Sequence, residues 1–302
     1  MSQGSYDRYM VRKPVYEQYP VAVKNRQVPM TLMSSAQVPE AKVHGRLGWI
    51  TGLPDPNPHV FEHTHNCDEL IYFIGGDPQE PQVLGGEIEF YLGGQKILFN
   101  TNTCILIPKG VKHGPLIWRE YTKPHLQLTI LIGQGSLDGQ GFADPGTKPQ
   151  KTDDIDYEQY VVRSPIYEDA PVVKNRQTPT MTYMSSHQIR GARYYLEGGW
   201  LWAMPEPNPH IFEHKHHYDE FVIHFGGDPE NPEDLGAAIE IGIAGEPLVF
   251  NTTCGMFVPK GIKHGPNIWR DFKKPHFEMA LMIGCGTFKE GWGANIDHLT
   301  PP

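Results

Sequence analysis

Histidine is frequent in this chain, and the spacing of the histidines follows a repeat. The 302 residues include 15 histidines, and ten of these form five pairs whose members lie 151 residues apart. The pairs are His59 and His210, His63 and His214, His65 and His216, His113 and His264, and His125 and His276. Side chains that bind metals or transfer protons therefore occur twice, at the same internal positions.

Three of these pairs, with an acidic pair, have the composition and spacing of a metal site. His63 and His65 share one face of a strand, and Glu69 has the same parity if the strand resumes after a bulge. His113 follows a tight Pro-Lys-Gly turn and arrives from another strand. Imidazoles suit Fe, Zn, Ni and Cu, and a carboxylate adds tolerance for Mn. We expect one divalent metal ion in each half of the chain, and the residue types do not distinguish Fe(II), Mn(II), Zn(II) and Ni(II).

An isolated His-x-His pair is more often a surface or interface feature than a metal site. The repeat argues against that alternative, because the second half holds the same four residue types at identical spacings: His214, His216, Glu220 and His264. Four protein ligands leave two positions of an octahedron open. The sequence therefore predicts two metal centres that can each bind a small molecule.

The two halves differ at positions that have the parity of the ligands. Counting from Glu220, we expect His224 to point into the barrel, where the first half has Phe73. If the strand that carries His276 aims that residue inward, Glu278 also points inward, where the first half has Gln127. One hypothesis makes the Glu278 and His224 pair the general acid and base of an enzyme. The other has them hydrogen-bond each other or brace a metal ligand.

Two further repeated pairs are expected to have supporting roles. His125 and His276 are expected to line the pocket or brace a ligand, because the ligand sets are already complete. Arg26 and Arg176 either bind an anionic substrate or hold an N-terminal strand in place. Their distance in sequence from the ligands favours the structural role.

The elements that must position these residues are short strands, and they also occur twice. Residues 56–65 reappear as residues 207–216, and a period this long indicates duplicated domains. Runs of β-branched and aromatic residues are separated by Gly, Pro and Asn turns, without a long helical period. We expect an all-β fold with little helix, divided into residues 1–137, a linker at 138–156, and residues 157–302.

Composition excludes several classes of partner. The 34.1 kDa chain has a formal net charge of −9 and no basic run, which argues against nucleic acid or an anionic membrane surface. The N-terminus lacks the apolar core of a signal peptide, and the four cysteines form no Cys-x-x-Cys pair. We expect a soluble cytoplasmic protein with reduced thiols and a small-molecule substrate. A homodimer is the only macromolecular assembly that we consider.

The metal-ligand motifs resemble those of the cupin superfamily. Residues 63–69 followed by Gly75 and Gly76 resemble the first cupin motif, and residues 108–113 resemble the second. The second half repeats both, so the chain resembles a bicupin over about residues 56–133 and 207–284. The resemblance implies two tandem cupin barrels of the double-stranded β-helix or jelly-roll type, with one metal in each.

This resemblance does not specify a reaction, because cupins include dioxygenases, decarboxylases, isomerases, lyases, sensors and storage proteins. The first hypothesis is an Fe(II) dioxygenase acting on a small oxygenated substrate, since cupins with three histidines and one glutamate often have that activity. Oxalate decarboxylases are disfavoured, because Val60 and Ile211 replace their arginine three residues before the first ligand histidine. The alternatives are a non-redox lyase, hydrolase or isomerase that uses Glu278 and His224, and a non-catalytic metal- or ligand-binding module.

Overall fold

The computed structural model describes residues 6–17, 22–138, 141–142, 148–167 and 172–292. Strands dominate this part of the chain, which confirms the predicted all-β class. Helical turns in it are limited to Asp7–Tyr9, Tyr157–Tyr160 and Phe288–Trp292. None of the helices described is long and apolar enough to cross a membrane. All four cysteines are buried as free thiols.

Twenty-four strands follow one another in the described residues. The first thirteen are β1 (Met10–Val11), β2 (Val15–Tyr16), β3 (Lys24–Arg26), β4 (Met30–Met33), β5 (Val43–Asp55), β6 (His63–Thr64), β7 (Asp68–Gly75), β8 (Val83–Leu92), β9 (Gln95–Thr101), β10 (Thr103–Ile107), β11 (His113–Tyr121), β12 (His125–Ile132) and β13 (Gly141–Phe142). The others are β14 (Val161–Val162), β15 (Ile166–Tyr167), β16 (Lys174–Arg176), β17 (Met181–Met184), β18 (Tyr194–Glu206), β19 (Asp219–Gly226), β20 (Asp234–Ile243), β21 (Glu246–Thr252), β22 (Cys254–Val258), β23 (His264–Phe272) and β24 (His276–Ile283).

The first compact unit, residues 15–164, is built from two antiparallel sheets. An eight-stranded sheet has the order β14-β10-β7-β12-β5-β4-β2, with β3 paired to β5. A five-stranded sheet has the order β13-β6-β11-β8-β9. Phe73 from the larger sheet and Phe90 and Trp118 from the smaller belong to one buried apolar cluster. The core therefore lies between the sheets, as in a jelly-roll barrel.

The second compact unit repeats this plan. Its eight-stranded sheet has the order β1-β22-β19-β24-β18-β17-β15, with β16 paired to β18. The smaller sheet has the order β21-β20-β23. Leu201 from the larger sheet and Ile241 and Trp269 from the smaller share one buried cluster. The predicted pair of barrels is thus present, and each barrel encloses its own core.

The compact units differ from the predicted domains at the segments that precede each barrel. Residues 6–14 belong with residues 165–302, because β1 pairs with β22. Residues 157–164 belong to the first unit, because β14 pairs with β10 and Tyr157 packs in that core. Proximity in sequence does not reveal which sheet edge a short arm will join. Residues 139–140 and 143–147 of the predicted linker at 138–156 lie outside the described residues.

Candidate metal centres

The first set of predicted ligands converges from both sheets of the first barrel. His63 in β6 lies directly opposite His113, the first residue of β11. Glu69 comes from β7 in the other sheet, and His65 lies between β6 and β7. The strand does not continue from His63 to Glu69. Instead the chain crosses between the sheets at residues 65–67, and donor atoms of all four side chains lie within 4.8 Å of one another.

The second set is arranged in the same way. The backbones of His214 and His264 exchange two hydrogen bonds of 2.9 Å. Donor atoms of these two residues and His216 lie within 4.8 Å of one another. Glu220 in β19 is not part of that cluster but contacts two of its members. Its Oε2 lies 3.3 Å from Nε2 of His216 and 3.0 Å from Nε2 of His264.

The hydrogen bonds of the ligand imidazoles leave one ring nitrogen of each with a lone pair. In four of them, Nδ1 donates to a backbone carbonyl two residues earlier. These pairs are His63 with Phe61, His113 with Val111, His214 with Phe212 and His264 with Ile262, at 2.8 to 3.0 Å. The buried Nε2 atoms of His113 and His264 face the ligand carboxylates, at 2.9 Å from Oε2 of Glu69 and 3.0 Å from Oε2 of Glu220. With Nδ1 donating to the backbone, Nε2 is the ring atom that can bind a metal ion, and it lies among the other ligands.

Burial and charge also prepare both sites for a cation. Burial lowers the pKa of His63 and of His214 to about 4, so both imidazoles are neutral at neutral pH. Burial alone would raise the pKa of Glu69 and Glu220. The neighbouring histidines outweigh this and hold the pKa of each carboxyl below its ordinary range. An ionised carboxylate among imidazoles is a donor set for a first-row divalent metal, so the residues present fit one in each barrel.

A glycine turn ties the ligand segments of each barrel together. Gly110 and Gly261 have positive φ angles of 80° and 81°, which L side chains rarely adopt. Their N–H groups donate to the carbonyl oxygens of His65 and His216 at 2.9 and 2.8 Å. The turn that leads into β11 or β23 is thereby fixed against the segment that carries the second ligand histidine.

Comparison with known proteins gives matches only among solved structures: no protein-family model and no curated protein matches the chain. The chain is similar to AerE from Microcystis aeruginosa, with a TM-score of 0.52 and 11% identity over 91% of this chain and 99% of AerE. Oxalate decarboxylase from Bacillus subtilis at pH 4.6 has a TM-score of 0.59 and 9% identity, over 94% of this chain and 78% of its own.

Another structure of that decarboxylase, described by its Mn(II) centres, has a TM-score of 0.59 and 11% identity, covering 95% of this chain and 79% of its own. These matches extend over both barrels. The chain has the bicupin fold. Identities this low establish a common architecture and leave the reaction of this protein to be argued from its own residues.

His216 makes two contacts that its counterpart His65 lacks. Its Nδ1 donates to the carbonyl oxygen of Tyr218 at 2.9 Å. Its ring stacks on Tyr218 with a centroid distance of 4.1 Å and an angle of 10°. The first barrel has Cys67 at that position, and Nδ1 of His65 has no hydrogen-bond partner among the described residues. The second ligand set therefore holds this imidazole in a more defined orientation.

A cavity of about 50 Å³ adjoins the second ligand set. By the space that one water needs, it accommodates roughly three to five water-sized groups. Its walls include His214, Glu220 and His264, and also Glu278 and His224. The last two lie directly opposite each other on β24 and β19. Both therefore reach the cavity as strand parity predicted, whereas their catalytic role stays a prediction.

Glu278 is held in the cavity wall by a guanidinium and an imidazole. Its Oε1 accepts hydrogen bonds from Nε of Arg176 and from Nε2 of His210, the latter at 3.2 Å. Burial alone would raise the pKa of Glu278, but Arg176 and His210 hold it below the ordinary range. The buried Oε2 has no hydrogen-bond partner among the described residues. The carboxylate is thus ionised, with one oxygen fixed and the other available to a molecule in the cavity.

Arg176 and Asn267 are cavity residues whose role sequence reasoning missed. The repeated Lys-Asn-Arg-Gln motif marked Arg176, but its position at the cavity and its partner Glu278 were not predicted. Asn267 lines the cavity where the first barrel has the buried Leu116. A comparison of every apolar-to-polar exchange between the two halves would have found it.

The repeated His125 and His276 do not support the metal ligands. Their Nε2 atoms accept hydrogen bonds from Nε1 of Trp118 and Trp269 at 2.9 and 3.0 Å. His125 pairs with Gly75, six residues along β7 from the ligand glutamate, which is about 20 Å at the usual rise. Burial lowers the pKa of His125 to about 4 and that of His276 to about 3. These neutral imidazoles hold the tryptophans, which differs from the expected role.

Proposed function

We propose that this bicupin is a metal-dependent enzyme that uses the cavity of its second barrel to move a proton on a small oxygenated substrate. The observation that carries the proposal is the position of Glu278 on the same cavity as the second ligand set. When bound there, a divalent ion supplies a Lewis acid that draws electron density from a substrate oxygen.

Glu278 is the general base in this proposal. Arg176 and His210 hold Oε1, and Oε2 accepts the proton while the electron pair of the broken bond stays on the substrate. The lowered pKa keeps the carboxylate ionised, but it also weakens the base. The substrate must therefore carry a hydrogen whose acidity is raised by an adjacent electron-withdrawing group, such as one on carbon beside a polarised carbonyl group.

His224 is placed to exchange a proton with the far side of the substrate. Burial lowers its pKa to about 4, so the ring is neutral at neutral pH. Its buried Nδ1 has no hydrogen-bond partner among the described residues. A neutral imidazole with an uncommitted nitrogen can relay a proton, or donate one if Nδ1 carries it. Glu278 and His224 then serve as base and relay in a non-redox lyase, hydrolase or isomerase.

An Fe(II) dioxygenase is the second candidate, and the three-histidine, one-glutamate donor set supports it. The Glu278 network distinguishes the two candidates, because activation of dioxygen does not need a base held by a guanidinium. In a non-catalytic binding module, the third candidate, Glu278 would only hold the ligand and would transfer no proton.

The test is hydrogen exchange without oxygen. We would load the protein with Zn(II) under anoxia and follow, by NMR in D₂O, the exchange of carbon-bound hydrogens of dihydroxyacetone. Glu278→Gln should slow the exchange about 10²- to 10⁴-fold with unchanged metal content. Gln127→Glu, the matched change in the first barrel, should leave the rate unchanged. Exchange that survives Glu278→Gln, or turnover that requires both iron and oxygen, would overturn the proposal.

A further inference from the structure

Apart from the ligand imidazoles, three buried polar atoms around the cavity of the second barrel have no hydrogen-bond partner among the described residues. They are Oε2 of Glu278, Oδ1 of Asn267 and Nδ1 of His224. The three residues are only 5%, 4% and 2% exposed, and all of them line the cavity. Buried polar groups are nearly always hydrogen-bonded, and each exception costs about 1–3 kcal/mol. Three exceptions around one space mean that polar groups inside the cavity, from water or from a ligand, complete them.

The first barrel lacks this arrangement. Leu116 and Phe73 occupy the places of Asn267 and His224, and both belong to the buried apolar cluster of that barrel. Gln127, at the place of Glu278, accepts a hydrogen bond from Arg26 at 2.8 Å. The uncommitted atoms are therefore a property of the second barrel and not a consequence of the cupin architecture.

The charges around the cavity restrict the ligand further. Three carboxylates line it, those of Glu197, Glu220 and Glu278. Arg176 is the one arginine or lysine among the described lining residues, and its Nε already bonds Glu278. A divalent metal ion brings the formal charge of this set to zero. A dianionic ligand would then add uncompensated charge in a buried site, which is strongly unfavourable.

The hydrogen-bonding groups of the cavity walls also favour a neutral ligand over an anion. Oε2 of Glu278 and Oδ1 of Asn267 are acceptors, so the ligand must present donors to them. The remaining wall includes the apolar side chains of Ile211 and Val222, which offer an anion no donor. Hydroxyl groups satisfy these acceptors, whereas carboxylate oxygens would face them with like charge.

We propose that the second barrel binds a small, neutral, polyhydroxylated carbonyl compound and discriminates against dicarboxylates, with Asn267 as the specificity-determining residue. This inference rests on the proposed function, because it identifies the substrate class of the same cavity. Hydroxyl groups of the ligand donate to Glu278 and Asn267, and His224 forms the third polar contact. The limited volume admits a compound of few carbons.

Calorimetric binding to the Zn(II)-loaded protein tests this assignment. The probes are dihydroxyacetone and the oxalate dianion, which have the same number of non-hydrogen atoms. Dihydroxyacetone should bind once per chain, and oxalate at least about tenfold more weakly. Asn267→Leu should weaken dihydroxyacetone binding about tenfold through the loss of one buried hydrogen bond. The matched Leu116→Asn change in the first barrel should leave it unaltered.

Asn267→Ala cannot clash with its neighbours, so it serves as a second variant if the leucine disturbs the fold, and metal content and circular dichroism report on folding. Oxalate binding as tight as that of dihydroxyacetone, absence of dihydroxyacetone binding, or unchanged affinity in a folded Asn267 variant would each overturn the inference.

The two proposals fail separately. If dihydroxyacetone binds as expected but its exchange is insensitive to Glu278→Gln, then the proton-transfer function is wrong and the ligand class stands. If exchange is lost in Glu278→Gln while oxalate binds more tightly, then the ligand class is wrong and the function stands.

Discussion

The first barrel places Phe73 and Leu116 where the second barrel has His224 and Asn267. The two apolar side chains are 0% and 1% exposed and fill the interior beside the first metal-ligand set. Their polar counterparts border a cavity and leave ring and amide atoms without partners. The second barrel thus forgoes well-packed apolar contacts at this place, which is typical of a binding site. Duplication allows one barrel to fill its interior with apolar side chains while the other keeps a cavity.

The same arginine also has different surroundings in the two barrels. Arg26 donates to the neutral amide oxygen of Gln127 at 2.8 Å and lies over the ring of Trp118 at 5.7 Å. Arg176 instead bonds the ionised carboxylate of Glu278. A residue that supports packing in one copy therefore sets the charge state of a cavity residue in the other.

Removal of a metal ligand should produce the largest difference in activity between variants of the two barrels. His264→Ala should abolish metal binding in the second barrel, because it deletes one of the clustered donor atoms, and should abolish turnover with it. His113→Ala should remove the metal of the first barrel and leave turnover in place. Metal analysis of each purified variant, with its activity, checks both. Loss of turnover in His113→Ala with the second metal retained would contradict a division of labour.

Loss of the arginine should cost the second barrel more stability than the first. Arg176→Gln leaves a buried carboxylate without its cation and should destabilise by ~3–5 kcal/mol. Arg26→Gln breaks a bond to a neutral amide and should cost ~2 kcal/mol. Urea unfolding of the metal-loaded variants measures both.

The loss of unfolding free energy caused by Arg176→Gln should become smaller at acidic pH. The folded pKa of Glu278 is lowered, so its stabilisation is present above about pH 4.5 and is lost as the pH falls below that value. If Arg176→Gln and Arg26→Gln lower the free energy of unfolding equally at neutral pH, then Gln127 and Glu278 are equivalent partners of the two arginines.

Features that depend on local patterns were predictable from the sequence. The repeat and the alternation of short strands and turns gave the all-β class and two barrels. Donor identity and spacing marked His63, His65 and Glu69 in one copy and their counterparts in the other. Strand parity counted from Glu220 correctly brought His224 to the cavity, because β19 runs without interruption from one to the other.

Features that depend on distant pairing were not predictable. Arg176 and Glu278 are 102 residues apart, and the sequence of neither segment indicates that the two side chains form an ion pair. Parity counted from His264 fails at Asn267, because the pairing of β20 with β23 shifts register between these residues. Residues 6–14 join an edge strand far along the chain, which their own composition does not reveal.

The protein and its His224→Phe variant should differ in how their free energies of unfolding depend on pH. Burial lowers its folded pKa from 6.5 to about 4, so the neutral ring stabilises the fold fully above pH 6.5. That stability is lost as the pH falls towards 4, by up to ~3 kcal/mol. His224→Phe installs the residue of the first barrel and removes the titration. The difference in unfolding free energy between the two proteins should therefore shift in favour of the variant between pH 6.5 and 4.5. A constant difference across this range would mean that His224 is not buried in the neutral form.

The smallest expected effect concerns the ring beside His216. Tyr218→Ala removes a stack with a centroid distance of 4.1 Å but keeps the backbone carbonyl that accepts from Nδ1. Such stacks contribute ~0.5–1.5 kcal/mol, so metal affinity of the second site should fall roughly two- to twelvefold. Tyr218→Phe retains the ring and should keep the affinity, although it loses the hydrogen bond from the hydroxyl to the carbonyl of Gly291. Competitive titration with a chelator measures each affinity. If alanine and phenylalanine weaken the metal equally, then the hydroxyl and not the stack orients His216, and the contrast with Cys67 in the first barrel has another origin.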